Sequence, residues 1–167
     1  HLSMQSGSTP ILQSMGRRHS AEMVRKLMCA ADGITFSWDI ICGFPGETDE
    51  LFAETMQLVD QTRPIKIHAF PFSPRPDTAA ATMPAQVDRN VSKARVKTIS
   101  DAAARHRDAH MRARIGTTTQ VLVEENNIAR DPHDIAVRIS GEKIAARTIC
   151  DVKLTGIDGD AFIGEIL

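Results

Sequence analysis

The apolar residues of this chain change their repeat at Gly116. Before it they recur every three to four residues or form short continuous runs. After it they alternate, as in QVLVE (120–124), IAVRI (135–139), CDVKL (150–154) and AFIGEI (161–166). A period of 2 sends successive side chains to opposite faces of a strand, whereas 3.6 builds a stripe on a helix. The change therefore predicts two architectures joined near residues 115–118. Asp158-Gly159, between the last two runs, is a hairpin signal. Four or five short strands in about 50 residues make a small antiparallel barrel or sandwich.

The upstream part alternates strand and helix. Residues 1–5 (HLSMQ) are strand-like and 6–10 (SGSTP) form a turn cluster. Ile11, Leu12 and Met15 mark a short helix. Ser20 is a good N-cap for a helix over 21–31, with Met23, Val24, Leu27 and Met28 as its stripe and Asp32-Gly33 as its stop. Residues 34–42 (ITFSWDIIC) are apolar on both faces, the pattern of a buried strand in a parallel sheet. GFPGET (43–48) is a Gly/Pro loop. Its Thr48 caps the next helix, and Asp49 and Glu50 suit the positive end of that helix. Leu51, Phe52, Met56 and Val59 give the buried stripe, Thr62-Arg63-Pro64 breaks the helix, and 65–70 (IKIHAF) is the next strand. Strand, helix, strand with short links is a βαβ unit, with parallel pairing and a right-handed crossover. After a Pro-, Ala- and Thr-rich loop at 71–84, a long helix is expected over 91–115. Its wheel puts Val91, Val96, Ile99, Ala102, Ala103, Ala109 and Ala113 on one side.

Charge follows the same division. The 20 Lys+Arg nearly balance the 21 Asp+Glu, but residues 1–114 are +3 and residues 115–167 are −4. Within 89–114 stand eight cations, among them Arg105, Arg107, Arg112 and Arg114, against only Asp101 and Asp108. Such a helix either presents a solvated face or attracts a polyanion, of which nucleic acid is the commonest. No apolar run approaches the length of a membrane span. Cys29, Cys42 and Cys150 lie too far apart in sequence for a disulfide framework or a local metal motif. With no charged leader before an apolar stretch, the expected compartment is the cytoplasm.

In a parallel α/β layer the natural site lies past the carboxyl ends of the strands. Three segments qualify: Gln5-Ser6-Gly7, residues 42–47, and residues 71–75 including Ser73 and Arg75. Together they would give polar side chains and a glycine-rich backbone suited to a nucleotide-like ligand, although Gly43, Pro45 and Gly46 would equally shape a plain tight turn. His1 and His68 have no second ligand at metal spacing. Cys42 has no sequence-local base. Asp39 reads either as a buried acid or as a partner of a neighbouring strand.

HLSMQSGS (1–8), MGRRHS (15–20), DIICGFPGET (39–48), HAFPFSPRPDTAAATMP (68–84) and the closing strand-rich segment stand in an order that resembles the radical-SAM methylthiotransferases that modify tRNA. The resemblance covers essentially the whole chain. The HLS-x-QSG and HAFPFSPRP forms look most like the branch acting on N6-threonylcarbamoyladenosine at position 37, next to the anticodon.

The resemblance implies an α/β chain with three parts. These are the later half of a radical-SAM partial (β/α) barrel over 1–86, a basic helical connector over 87–115, and a small all-β, OB-like TRAM domain over 116–167. It implies S-adenosylmethionine (SAM) and [4Fe–4S] clusters as cofactors, with methylthiolation of tRNA as the reaction and tRNA as the partner. It carries Gln5 and Ser6 to the ribose side of SAM, Ile41, Gly43 and Glu47 to the adenine side, and Phe70 to Phe72 to the adenine border. Arg75 and the arginines at 105, 107, 112 and 114 would meet RNA. The family's CxxxCxxC loop and auxiliary-cluster cysteines have no match here, so the cluster ligands are expected in a preceding N-terminal part and this chain alone is expected to be inactive. A non-catalytic tRNA-binding module, or a truncated remnant, is the alternative. Asp77 and Ala79 depart from the family's usual Gly and Pro in the 73–80 loop.

Overall fold

The computed structural model describes residues 1–141 and 143–167, which form two compact units, His1–Arg107 and Asp108–Leu167.

The first unit runs β1 (Leu2–Gln5), α1 (Thr9–Ser14), α2 (Ala21–Ala30), β2 (Ser37–Cys42), α3 (Asp49–Thr62), β3 (Lys66–Pro71) and α4 (Ala79–Thr82). It also takes in most of α5 (Arg89–Arg114). The expected caps form: Ser20 Oγ accepts from the Met23 amide at 3.2 Å and Thr48 Oγ1 from the Leu51 amide at 3.3 Å. Helix α3 ends on Arg63 in the left-handed region (φ 47), just before Pro64. The three strands pair parallel in the order β1-β2-β3.

Strand β2 departs from the expectation of burial on both faces. Only Trp38, Ile40 and Cys42 are buried, while Ser37, Asp39 and Ile41 are half-exposed on the opposite face. The core explains this. Met4, Val24, Met28, Leu58, Val59, Ile99 and Ala102 join Trp38 and Ile40 in one cluster, so the helices cover one face of the sheet and leave the other open. Residues 34–36 stay outside the strand because pairing with β3 begins at Ser37.

Helix α5 buries the middle of the stripe its wheel suggests, Ile99, Ala102 and Ala103 with Val96 packed beside them, but not its ends. Ser92, Arg95, Ile99, Ala102, Ala103 and Met111 are buried, whereas Val91, Ala109 and Ala113 are exposed. The fold turns one of the helix's eight cations, Arg95, inward together with Ser92.

The second unit is a closed barrel of β4 (Thr118–Glu125), β5 (Ile128–Arg130), β6 (Ala136–Ser140), β7 (Ile149–Asp158) and β8 (Ala161–Ile166). Its order is β4-β5-β6-β8-β7, a five-stranded Greek-key path. Neighbouring strands are antiparallel except β6 and β8, which are parallel, so the barrel is not wholly antiparallel. Strand β5 is too short to show a period in sequence. It is set by Asn126 and Asn127, both left-handed (φ 52 and 57), the conformation of a two-residue hairpin turn. Val121, Val123, Ala129, Ile135, Val137, Val152, Leu154 and Phe162 fill the interior.

Candidate functional site

Two of the three rim loops of the parallel sheet are fastened to helices. After β1, Ser6 is fully buried; its Oγ lies 3.4 Å from Thr55 Oγ1 of α3 and accepts from the Ser8 amide at 3.1 Å. The Gly7 amide donates to Thr55 Oγ1 at 3.0 Å, and a Cβ on Gly7 would lie 2.6 Å from the Thr55 Cα. After β2, the Glu47 carboxylate turns inward. It accepts from the Gly43 amide at 2.6 Å and from Arg95 of α5 at 2.7 Å. Gly43 has φ +79, and a Cβ there would fall 1.9 Å from Ser92 Oγ, so the loop lies directly on α5.

Between these fastenings opens a cleft of about 650 Å³ at the carboxyl ends of the strands. Gln5, Ile41, Phe70 and Phe72 line it, with Asp39, Ser73 and Arg75 as further polar groups. Strand register accounts for the meeting of Ile41 and Phe70, which are paired positions of β2 and β3. The Phe72 amide donates to the Cys42 carbonyl at 2.7 Å and extends that pairing by one bond. Phe72 and Phe44 pack edge to face at 5.3 Å. Gln5 has φ 68, a left-handed conformation that costs a long side chain about 1 kcal/mol and is retained where surrounding structure demands it. Apolar walls with a few polar groups at the rim suit a flat base joined to a sugar.

Of the residues expected at the cofactor, Gln5, Ile41, Phe70 and Phe72 therefore come together. Ser6, Gly43 and Glu47 lie behind them, shaping the loops. Burial pushes the Glu47 carboxyl up, against the Gly43 amide and the Arg95 guanidinium, which pull it down. Arg95 is buried, and sequence reading gave it no site role, counting it only among the eight cations of the basic helix. The spacing from Ser92 to Arg95 to Ile99 was the available signal, since it places all three on one side. Asp39 resolves as a partner of the strand beside it: its carboxylate lies 3.0 Å from His1 Nε2, and His1 Nδ1 lies 2.7 Å from Ser37 Oγ.

The arginines expected at RNA divide as well. Arg75 is exposed at the cleft and Arg105 is exposed on α5. Arg107 is half-buried. Arg112 is exposed and pairs with Asp108 at 2.8 Å. Arg114 pairs with the fully buried Asp131 and lies over the Phe162 ring at 5.3 Å.

The residues present do not fit an iron–sulfur cluster. Cys29 is exposed, Cys42 buried and Cys150 partly buried, and among the described residues no three His, Cys, Asp or Glu side chains group as metal ligands. Burial, with Glu47 nearby, pushes the Cys42 thiol up to about 12, far from the thiolate a metal requires. Among the described residues no helix is long and apolar enough to cross a membrane.

No family model matches the chain. Individual proteins do. A tRNA-2-methylthio-N(6)-dimethylallyladenosine synthase of Bartonella quintana is 36% identical over 176 residues, covering 99% of this chain and 38% of that protein. The threonylcarbamoyladenosine tRNA methylthiotransferase MtaB of Chlamydia pneumoniae is 34% identical over 176 residues, covering 100% of this chain and 42% of its own length. Its counterpart in Rickettsia prowazekii is 36% identical over 162 residues, covering 95% and 38%. Overall identity is thus similar, 34% to 36%, for relatives named for the two modifications. The chain spans about two-fifths of the length of these relatives, 38% to 42%. Over nearly all of its residues, the chain is homologous to a stretch of the tRNA methylthiotransferases.

Proposed function

We propose that residues 1–86 are the later strands of a radical-SAM partial (β/α) barrel, 87–115 a basic connector and 116–167 a TRAM domain. The protein to which they belong is, in this reading, a SAM- and [4Fe–4S]-dependent enzyme of the cytoplasm. It adds a methylthio group to adenosine 37 of tRNA. The motifs HLS-x-QSG and HAFPFSPRP support the threonylcarbamoyladenosine branch. SAM is the source of the adenosyl and methyl chemistry, and the cluster ligands come from polypeptide outside these 167 residues, so the chain alone is inactive.

The observation that carries this reading is the convergence of Gln5, Ile41, Phe70 and Phe72 at one cleft beyond three parallel strands. Ile41, Phe70 and Phe72 suit the faces of adenine, and Gln5 suits the ribose hydroxyls. The tRNA phosphates meet the exposed side of α5 and Arg75, with Arg105 and Arg112 foremost because Arg114 is engaged by Asp131.

Titration of the purified chain with S-adenosylhomocysteine tests the cleft. Saturable 1:1 binding is expected, abolished in Ile41→Arg, which puts a longer, charged side chain on the apolar wall meant for the base; absence of binding in the wild-type chain refutes the reading. Anaerobic reconstitution with iron and sulfide tests the rest. Stoichiometric iron retained by the chain would overturn the assignment of the cluster ligands to another segment. The alternative is a non-catalytic tRNA-binding module. It predicts tRNA binding without S-adenosylhomocysteine binding.

A further inference from the structure

Residues 43–47 lead from β2 to α3, yet α5 holds them. Arg95 Nη1 donates to the Glu47 carboxylate at 2.7 Å and to the Glu47 carbonyl at 3.0 Å, and Nη2 donates to Asp49 at 2.7 Å. The guanidinium lies over the Phe52 ring at 5.2 Å. Only 7% of its side chain and 2% of that of Glu47 are exposed, so neither charge can turn to water for a substitute partner. Glu47 passes the constraint on, since the same carboxylate oxygen that meets Arg95 accepts from the Gly43 amide at 2.6 Å. Two further contacts tie the segment to the approach to α5. The Gly46 amide donates to the Ala85 carbonyl at 2.9 Å, and Gly43 lies against Ser92 with no room for a Cβ.

This clamp stands directly behind the cleft. Ile41, which lines the cleft, is two residues before Gly43. Burial pulls Arg95 toward losing its proton, but Asp49 and Glu47 outweigh it and hold the guanidinium charged. A planar group with several donors in fixed directions can serve two carboxylates and a carbonyl at once, which a lysine ammonium at that distance cannot.

We propose that Arg95 is a positioning residue for adenosyl binding: through Glu47 it sets the backbone of residues 43–47, so that the adenine side of the cleft is formed before the ligand arrives. The inference rests on the adenosyl reading of the cleft. Its consequence is affinity, because a loop already ordered spares the ligand the cost of ordering it.

The test measures two quantities on the 167-residue chain: affinity for S-adenosylhomocysteine by calorimetry, and amide hydrogen exchange at Gly43 by NMR. Arg95→Met is expected to weaken binding about tenfold, a typical loss when loop ordering is returned to the ligand, and to speed exchange at Gly43. Arg95→Lys recovers only part of either. The double variant Glu47→Gln/Arg95→Met is expected to lose no more affinity than Arg95→Met alone, since both residues act through one contact. If Arg95→Met does not fold, Glu47→Gln carries the test, with a loss of about threefold and faster Gly43 exchange as the expected results. A folded variant that keeps wild-type affinity and wild-type Gly43 protection overturns the proposal. Should the wild-type chain bind no S-adenosylhomocysteine, the adenosyl reading falls, and Gly43 exchange alone decides whether Arg95 sets the loop.

Discussion

Asp131 has no exposed side-chain surface, and its two oxygens are both committed. One accepts from the amides of His133 and Ile135 at 3.0 and 2.8 Å; the other meets Arg114. Removing the arginine would strand a buried carboxylate, the situation in which a buried ion pair costs most to break. Arg114→Met is expected to destabilise the barrel by about 3 kcal/mol, read as a shift in the urea midpoint followed by barrel amide signals. A shift below about 1 kcal/mol would show that Asp131 finds another partner. Asp77 illustrates the opposite case. It stands where the family usually has glycine and adopts φ 62, a left-handed conformation that aspartate tolerates better than most residues. The departure from the motif changes the charge at that loop and leaves its backbone path available.

Two histidines register the packing of their elements. On α5, His106 is largely buried, with Asp60 of α3 at 3.6 Å; before β6, His133 packs its ring 5.0 Å from that of His110. Burial lowers both below the ordinary imidazole value, with Asp60 opposing it at His106, and with Arg114 assisting and Asp131 opposing it at His133. The unfolded chain then binds protons that the folded chain resists, so stability falls as pH drops below about 6.5 and through the lowered folded values. Urea midpoints measured from pH 7.5 to 5.5 are expected to decline, and His133→Gln should flatten the decline of the barrel signals while leaving that of the first unit. An unchanged slope in that variant would remove His133 as the cause. At this scale the elements themselves were legible. Caps at Ser20 and Thr48, breaks at Pro64 and Gly116, and alternation in four barrel strands are all local signals. Strand β5 was not, because three residues held by an Asn-Asn turn display no period.

For the molecule as a whole, the cations of α5 set an upper bound on the polyanion contacts the helix can make. Eight stand between 89 and 114, but Arg95 and Arg114 are withdrawn into ion pairs with buried carboxylates, and Lys97 and Arg112 share their charge with Asp101 and Asp108. With at most six contributing, and Arg75 as a seventh contact, the logarithm of tRNA affinity should fall with the logarithm of salt concentration with a slope no steeper than about −6. A filter-binding series in potassium chloride checks this, and a slope near −8 would require further cations or release of the inward pair. Arg105→Gln should reduce the slope by close to one contact and weaken binding to different tRNAs about equally.

Sequence alone determined the kind and order of most elements, because hydrophobic period and helix caps act over a few residues and do not depend on what lies across the fold. It also marked the strand-end segments from which Gln5, Ile41, Phe70 and Phe72 project, since a parallel strand followed by a Gly- or Pro-rich turn has its loop on one known rim. Tertiary structure decided which of those residues line the cleft and which stand behind it. Glu47 turns toward Arg95, 48 residues later, and Arg114 turns toward Asp131. A guanidinium looks the same in sequence whether it faces water or a buried carboxylate; only the fold brings the carboxylate within reach, and desolvation then makes the pairing obligatory.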